Sequence, residues 1–73
     1  MQRKELTADV TGTVWKLTAS AGATVSADEP IIIVESMKME IPVACEEDCV
    51  VVELLVAEGE AVQEGQVIAI VDV

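Results

Sequence analysis

The sequence has no histidine, no tyrosine and no phenylalanine, one tryptophan, and four basic residues against fourteen acidic ones. Each shortage excludes something. A closed zinc site needs four nitrogen or sulfur ligands, and without histidine only Cys45 and Cys49 are on offer beside carboxylates. A net charge of −10 repels phosphate backbones and anionic headgroups, so nucleic acid and membrane surfaces are poor partners. No apolar run approaches the ~18 residues that span a bilayer. Met1-Gln2-Arg3-Lys4-Glu5 has no apolar stretch behind it, which predicts a cytoplasmic chain without a signal peptide. The two cysteines flank Glu46-Glu47-Asp48. They are expected as buried free thiols, because a disulfide is disfavoured in a cytoplasmic protein.

What is present is mostly branched at Cβ. The 73 residues include thirteen Val, six Ile and five Thr, side chains that fit a pleated sheet better than a helix. The composition points to an all-β chain, and its length to a single domain over residues 1–73. So short a chain buries only roughly 60–65% of the surface its unfolded form exposes, so its packing has to be regular.

The chain overlays on itself after a shift of 37 residues. Val14 falls on Val51, Leu17 on Leu54, Gly22 on Gly59 and Val25 on Val62. Ile31, Ile33 and Val34 fall on Ile68, Ile70 and Val71, and Glu35 falls on Asp72. Two copies of a unit too small to bury its own face must pack on each other. This predicts a two-fold pseudosymmetric sandwich or flattened barrel, with the segment joining the halves at one end and the termini at the other. Strands are expected at Lys4–Ala8, Thr13–Leu17, Thr24–Ser26, Pro30–Glu35, Met39–Ala44, Val50–Val56, Ala61–Gln63 and Val67–Val71. A helix over Glu53–Glu60 is a weak competitor, since Gly59 interrupts it and no cap precedes it. Gly22, Gly59 and Gly65 stand where turns need positive φ.

The joining segment, Glu35-Ser36-Met37-Lys38-Met39-Glu40, is the singular part of a duplicated chain. It reads as a hairpin with Met37-Lys38 at its tip. A two-residue hairpin loop normally takes Asn-Gly or Gly-X, because both central residues of a type I′ turn need φ > 0. Met-Lys breaks that rule, and a local rule broken once in a regular chain marks a functional site. The plainer alternative is that the methionines pack on the sheet and Lys38 is a solubilising tip charge. Lysines that work as catalytic amines are buried or stand beside another cation. Lys38 has Glu35 and Glu40 instead, with no His, Tyr or second Lys near it in sequence. An exposed lysine that another enzyme acylates fits these surroundings better.

Glu35-Ser36-Met37-Lys38-Met39 resembles the Glu-Ala-Met-Lys-Met attachment motif of biotin carboxyl carrier domains, with Ser36 in place of Ala. The resemblance extends over essentially the whole chain. Gly12-Thr13-Val14 resembles the glycine that opens the first half-repeat, and Gly22-x-x-Val25 and Gly59-x-x-Val62 match the paired turns. It implies a barrel-sandwich hybrid of two four-stranded antiparallel sheets, with biotin in amide linkage to Lys38 and with Glu35, Ser36, Met37, Met39 and Glu40 as flanking recognition residues. It also implies three partners. A biotin protein ligase would attach biotin from biotinyl-AMP, a biotin carboxylase would load the tethered group, and a carboxyltransferase would pass the carboxyl to an acyl-CoA such as acetyl-CoA. The carrier itself would perform no bond chemistry. A lipoyl carrier on the same scaffold is the alternative, but lipoyl hairpins usually read Asp-Lys-Ala. An unmodified binding module of this fold is the third reading.

The chain departs from the family pattern in three places. Cys49 stands where the second half-repeat usually has Gly, matching Gly12. If that turn requires φ > 0, Cys49 is strained or the turn differs. Asp9-Val10-Thr11 precedes Gly12 without the familiar proline. Only five residues separate Trp15 from Ala21, so the protruding thumb of some carriers is missing and the chain resembles the small, thumbless type.

Overall fold

The computed structural model describes residues 2–73. Eight strands follow the branched runs: β1 (Arg3–Thr7), β2 (Gly12–Leu17), β3 (Thr24–Val25), β4 (Pro30–Ser36), β5 (Met39–Ala44), β6 (Cys49–Leu54), β7 (Ala61–Val62) and β8 (Val67–Asp72). They form two four-stranded sheets, ordered β1-β8-β6-β3 and β5-β4-β2-β7, with every pairing antiparallel. The two-sheet barrel expected from the repeat is the one observed. Strand ends move by one or two residues from the expected positions, as strand ends commonly do. The largest shift is in β6, which ends at Leu54 rather than at Val56. Val56 is still buried, but Leu55 N–H now donates to the Ile68 carbonyl at 3.0 Å as the chain leaves the sheet. No helix forms over 53–60.

Each sheet takes two strands from each half of the chain. β1 to β4 make one unit and β5 to β8 the other, so neither half could cover its own apolar face. The hydrogen bonds of the connections repeat with the 37-residue shift and cross between the units. Gly22 N–H donates to the Val51 carbonyl at 2.7 Å, and Gly59 N–H to the Val14 carbonyl at 2.8 Å. Asp28 N–H donates to the Cys45 carbonyl and Gly65 N–H to the Ala8 carbonyl, both at 2.9 Å. Asp28 and Gly65 are equivalent positions and both have positive φ, 64° and 86°. An aspartate tolerates that region better than most residues with a Cβ.

The core lies between the sheets and is aliphatic. Ile31, Ile32, Val34, Ile68, Ala69 and Val71 are fully enclosed. Val14 and Val51 meet them from the neighbouring strands. No aromatic ring contributes. Trp15 lies outside, 46% exposed. β-Branched side chains supply a thin, regular filling, in keeping with an elongated molecule of 35 × 17 × 17 Å.

The hairpin β4–β5 and the chain ends occupy opposite poles. Ser36 pairs with Met39 across the hairpin. The two-fold equivalents of these residues are Val73 and Gln2, which exchange two backbone hydrogen bonds at 2.7 and 2.8 Å. The termini thus close the barrel in the same register as the hairpin does.

Candidate functional site

The candidate site is the turn between β4 and β5. Ser36 and Met39 are directly paired, so only Met37 and Lys38 bridge the strands. Both take positive φ, 53° and 65°. This is the type I′ geometry that matches the right-handed twist of the flanking strands. The tip takes it without glycine or asparagine, at a cost of about 1–2 kcal/mol per residue. Regular pairing below the tip over-determines the conformation: Glu35 faces Glu40, Val34 faces Ile41 and Ile33 faces Pro42. Val34 is fully buried, so the strand cannot slide to relieve the turn without exposing its core face.

Two further contacts lock the base of the hairpin, and the sequence reading missed both. Ser36 Oγ donates to the Thr11 carbonyl at 2.9 Å, so the hydroxyl that replaces the usual methyl ties the hairpin to the β1–β2 loop. Thr11 Oγ1 in turn accepts from Glu64 N–H at 3.0 Å, which joins the β7–β8 turn to the same clamp. Gly12 lies against the hairpin as well. A Cβ there would overlap the Glu35 carbonyl oxygen and press on Val34 at 3.1 Å. Nothing in the local sequence signals these contacts, because the partners are separated by 22 to 53 residues.

The departure at Cys49 is resolved by the same contact. Gly12 is absent from the residues with positive φ, and so is Cys49. Close approach to the hairpin requires the glycine, and no turn there needs a left-handed residue. Cys49 is therefore unstrained, as the first residue of β6. Both cysteines are free and buried. Burial pushes the Cys49 thiol above its ordinary range, and the adjacent Cys45 and Asp48 reinforce the shift. Both lie before or at the start of β6, in the connection equivalent to the one that clamps the hairpin, and so at the terminal pole.

The tip itself is open. Met37 is 92% exposed, Met39 is 64% exposed, and Lys38 is exposed between them. Among the described residues the one salt bridge joins Arg3 to Asp72, at 3.2 Å, so the Lys38 ammonium has no carboxylate partner. Glu35 and Glu40 stand opposite each other on the outer face of the sheet. Like charges directly across a strand pair are destabilising. Of the six residues expected to form the site, all are therefore brought together at one pole, and Ser36 alone is engaged inward.

Among the described residues, no side chain pairs with the Lys38 ammonium, and the salt bridge and side-chain hydrogen bonds all lie elsewhere. The exposed tip and the paired strands beneath it leave room for a covalent acyl group on the lysine.

The family whose model is described as "Biotin-requiring enzyme" matches residues 4–71. The chain belongs to this biotinyl/lipoyl attachment family. It is 39% identical over 57 residues to the biotin/lipoyl attachment protein of Bacillus subtilis, covering 78% of each chain. It is 38% identical over 64 residues to the biotin-dependent acyl-coenzyme A carboxylase alpha3 subunit of Mycobacterium leprae, covering 88% of this chain and 11% of that protein. Among solved structures, the urea carboxylase of Kluyveromyces lactis superposes with a TM-score of 0.91 at 30% identity. The match covers 99% of this chain and 6% of that one. The chain thus spans about a tenth or less of these carboxylases, but most of the bacterial attachment protein. It is a biotin carrier domain of the kind built into biotin-dependent carboxylases.

Proposed function

We propose that Lys38 is the residue to which biotin is joined in amide linkage, and that the chain is a non-catalytic carrier component of a biotin-dependent carboxylase. The observation that supports this most is the tip itself: an unpaired, exposed lysine on a left-handed turn held rigid from below. Biotin, when bound, supplies the nitrogen that accepts and releases the carboxyl group. The chain's own residues do the rest. Lys38 provides a long flexible arm on a fixed base, so that encounters with two separate active sites become local events. Met37 and Met39 present adaptable apolar surface on either side of it. Glu35 and Glu40 keep a local negative field that draws a basic protein surface toward the tip.

The partners in this reading are a biotin protein ligase, a biotin carboxylase and a carboxyltransferase acting in the cytoplasm. The acceptor is acetyl-CoA or a related acyl-CoA, and the M. leprae relative is named for that class of substrate. Intact-mass analysis after co-expression with a biotin ligase, and separately with a lipoyl ligase, tests the assignment. A biotin increment that maps to Lys38 by peptide sequencing is the expected result. A lipoyl increment alone would transfer the chain to the 2-oxo acid dehydrogenase carriers, and no increment from either ligase would make it an unmodified module.

A further inference from the structure

Trp15 is the chain's only aromatic residue, and it is half-exposed outside a core that contains no ring. Its position is set by a break in strand register. In the β2–β4 pairing the register shifts between Val14 and Lys16, leaving Trp15 as the extra residue of a bulge. Bulges re-aim side chains, and this one turns the indole onto the outer face of the hairpin-bearing sheet. The bulge recurs in β6 between Val51 and Glu53, where the extra residue is the half-buried Val52. The fold therefore makes the bulge twice, but only the sheet that carries the hairpin places an aromatic in it.

The rows around the two bulges differ in the same sense. Beside Trp15 the paired row is Lys16, Ile33 and Pro42. The equivalent row on the other sheet is Glu53, Ile70 and Glu5. The row on one outer face thus forms a shelf with no carboxylate of its own, and its two-fold mate offers an aliphatic flanked by two. Glu58 accepts from Leu17 N–H at 3.1 Å beside the shelf, and Glu35 and Glu40 face each other between it and the tip. The shelf lies about four strand residues from the tip, roughly 13 Å at the rise of a β-strand. A lysyl side chain bearing a five-carbon acyl arm spans about that length.

We propose that the Trp15–Ile33–Pro42 shelf is a resting site for the acyl group carried on Lys38. This rests on the attachment reading above. The occupant is the uncharged ring at the end of the arm. Its saturated, apolar side packs on the indole and the proline, and the Lys16 ammonium stands in the same row as a donor for a ring carbonyl. The group is then partitioned between a docked and a free state, and a partner enzyme or any other capture agent meets only the free fraction.

The single tryptophan makes the test specific. The biotinylated chain and the unmodified chain, each verified by intact mass, are compared by tryptophan emission. Lys38→Arg and the unmodified chain with free biotin at equal concentration serve as controls. Emission that changes only when the group is tethered is the expected result. The rate of capture by avidin is then measured on biotinylated protein. Trp15→Ala is expected to be captured roughly three- to tenfold faster than the parent, and Trp15→Phe to fall between them. Both variants alter an exposed side chain, and a thermal melt confirms that they are folded. Emission and capture rates that are unchanged, with the mass increment present on Lys38, overturn the resting site and leave the carrier reading intact. Absence of the increment overturns the attachment reading and this inference with it.

Discussion

The two poles of this molecule are built from the same unit and do opposite things. At the terminal pole, Arg3 and Asp72 face each other across β1 and β8 and form a salt bridge. At the hairpin pole, the equivalent positions are Glu40 and Glu35, which face each other with like charge. At the terminal pole, the residue beginning β6 is a buried cysteine, whereas its equivalent at the hairpin pole is a glycine pressed against the Glu35 backbone. Gln2 and Val73 close one end with two ordinary backbone hydrogen bonds. Met37 and Lys38 close the other in a left-handed turn. The terminal pole has been left in its low-energy form. The hairpin pole carries local costs, and they surround an exposed lysine at the turn.

The largest expected effect is at Lys38. Lys38→Arg removes the acylatable amine, so streptavidin labelling after co-expression with biotin ligase should vanish. The melting temperature should stay within about 3 °C, because the side chain is exposed. Labelling that persists would place the attachment elsewhere.

The next contrast is between Gly12 and Cys49. Gly12→Ala forces a methyl into the Glu35 carbonyl, and a loss of about 2 kcal/mol or more is expected, seen as a fall of roughly 8–16 °C in Tm. Cys49→Ala removes one sulfur atom from the other pole and should cost only about 1 kcal/mol. Equal losses at the two sites would show that the poles are sterically equivalent after all.

Cys49 also sets a pH dependence that Gly12 cannot have. Its folded-state pKa is raised by burial, then by Cys45 and Asp48, so the unfolded chain loses that thiol proton first as pH rises. Stability should hold below about pH 8.5, the ordinary thiol value. It should then fall with a slope of at most about 1.4 kcal/mol per pH unit, until the folded thiol also ionises. Urea denaturation of the parent and of Cys49→Ala between pH 8 and 10 measures this; parallel curves would remove Cys49 as the cause.

The smallest effect comes from making the hairpin pole resemble the terminal one. Glu40→Arg rebuilds the cross-strand ion pair, and a gain of about 0.2–1 kcal/mol is expected. Biotinylation by the ligase should slow at the same time, as the local field reverses. A variant both more stable and equally well modified would show that the facing carboxylates serve no recognition.

Much of this was legible in the sequence. The 37-residue repeat, with Gly22 over Gly59 and Ile31-Ile32-Ile33-Val34 over Ile68-Ala69-Ile70-Val71, is enough to imply a duplicated all-β barrel. Strand identity is local information, carried by β-branched runs and turn residues. The hairpin was readable because Met37-Lys38 violates a turn preference at the point where the repeat is interrupted. The clamp beneath it was not readable. Ser36 and Thr11, Thr11 and Glu64, and Gly12 and Glu35 meet only when sheets from both halves close on each other.

The sequence by itself determined the fold class, the two-fold plan and the place of the hairpin that carries Lys38, because each rests on side-chain type and periodicity along the chain. The tertiary structure alone decided why Gly12 cannot carry a side chain and Cys49 can, and how Ser36 is held. It also decided that Glu35 opposes Glu40 where Arg3 pairs with Asp72, and that Trp15 lies outside the core on the hairpin sheet. The physical reason is that these are matters of register and close approach between distant segments. A period-2 pattern says which face a residue is on, but not which residue it meets there.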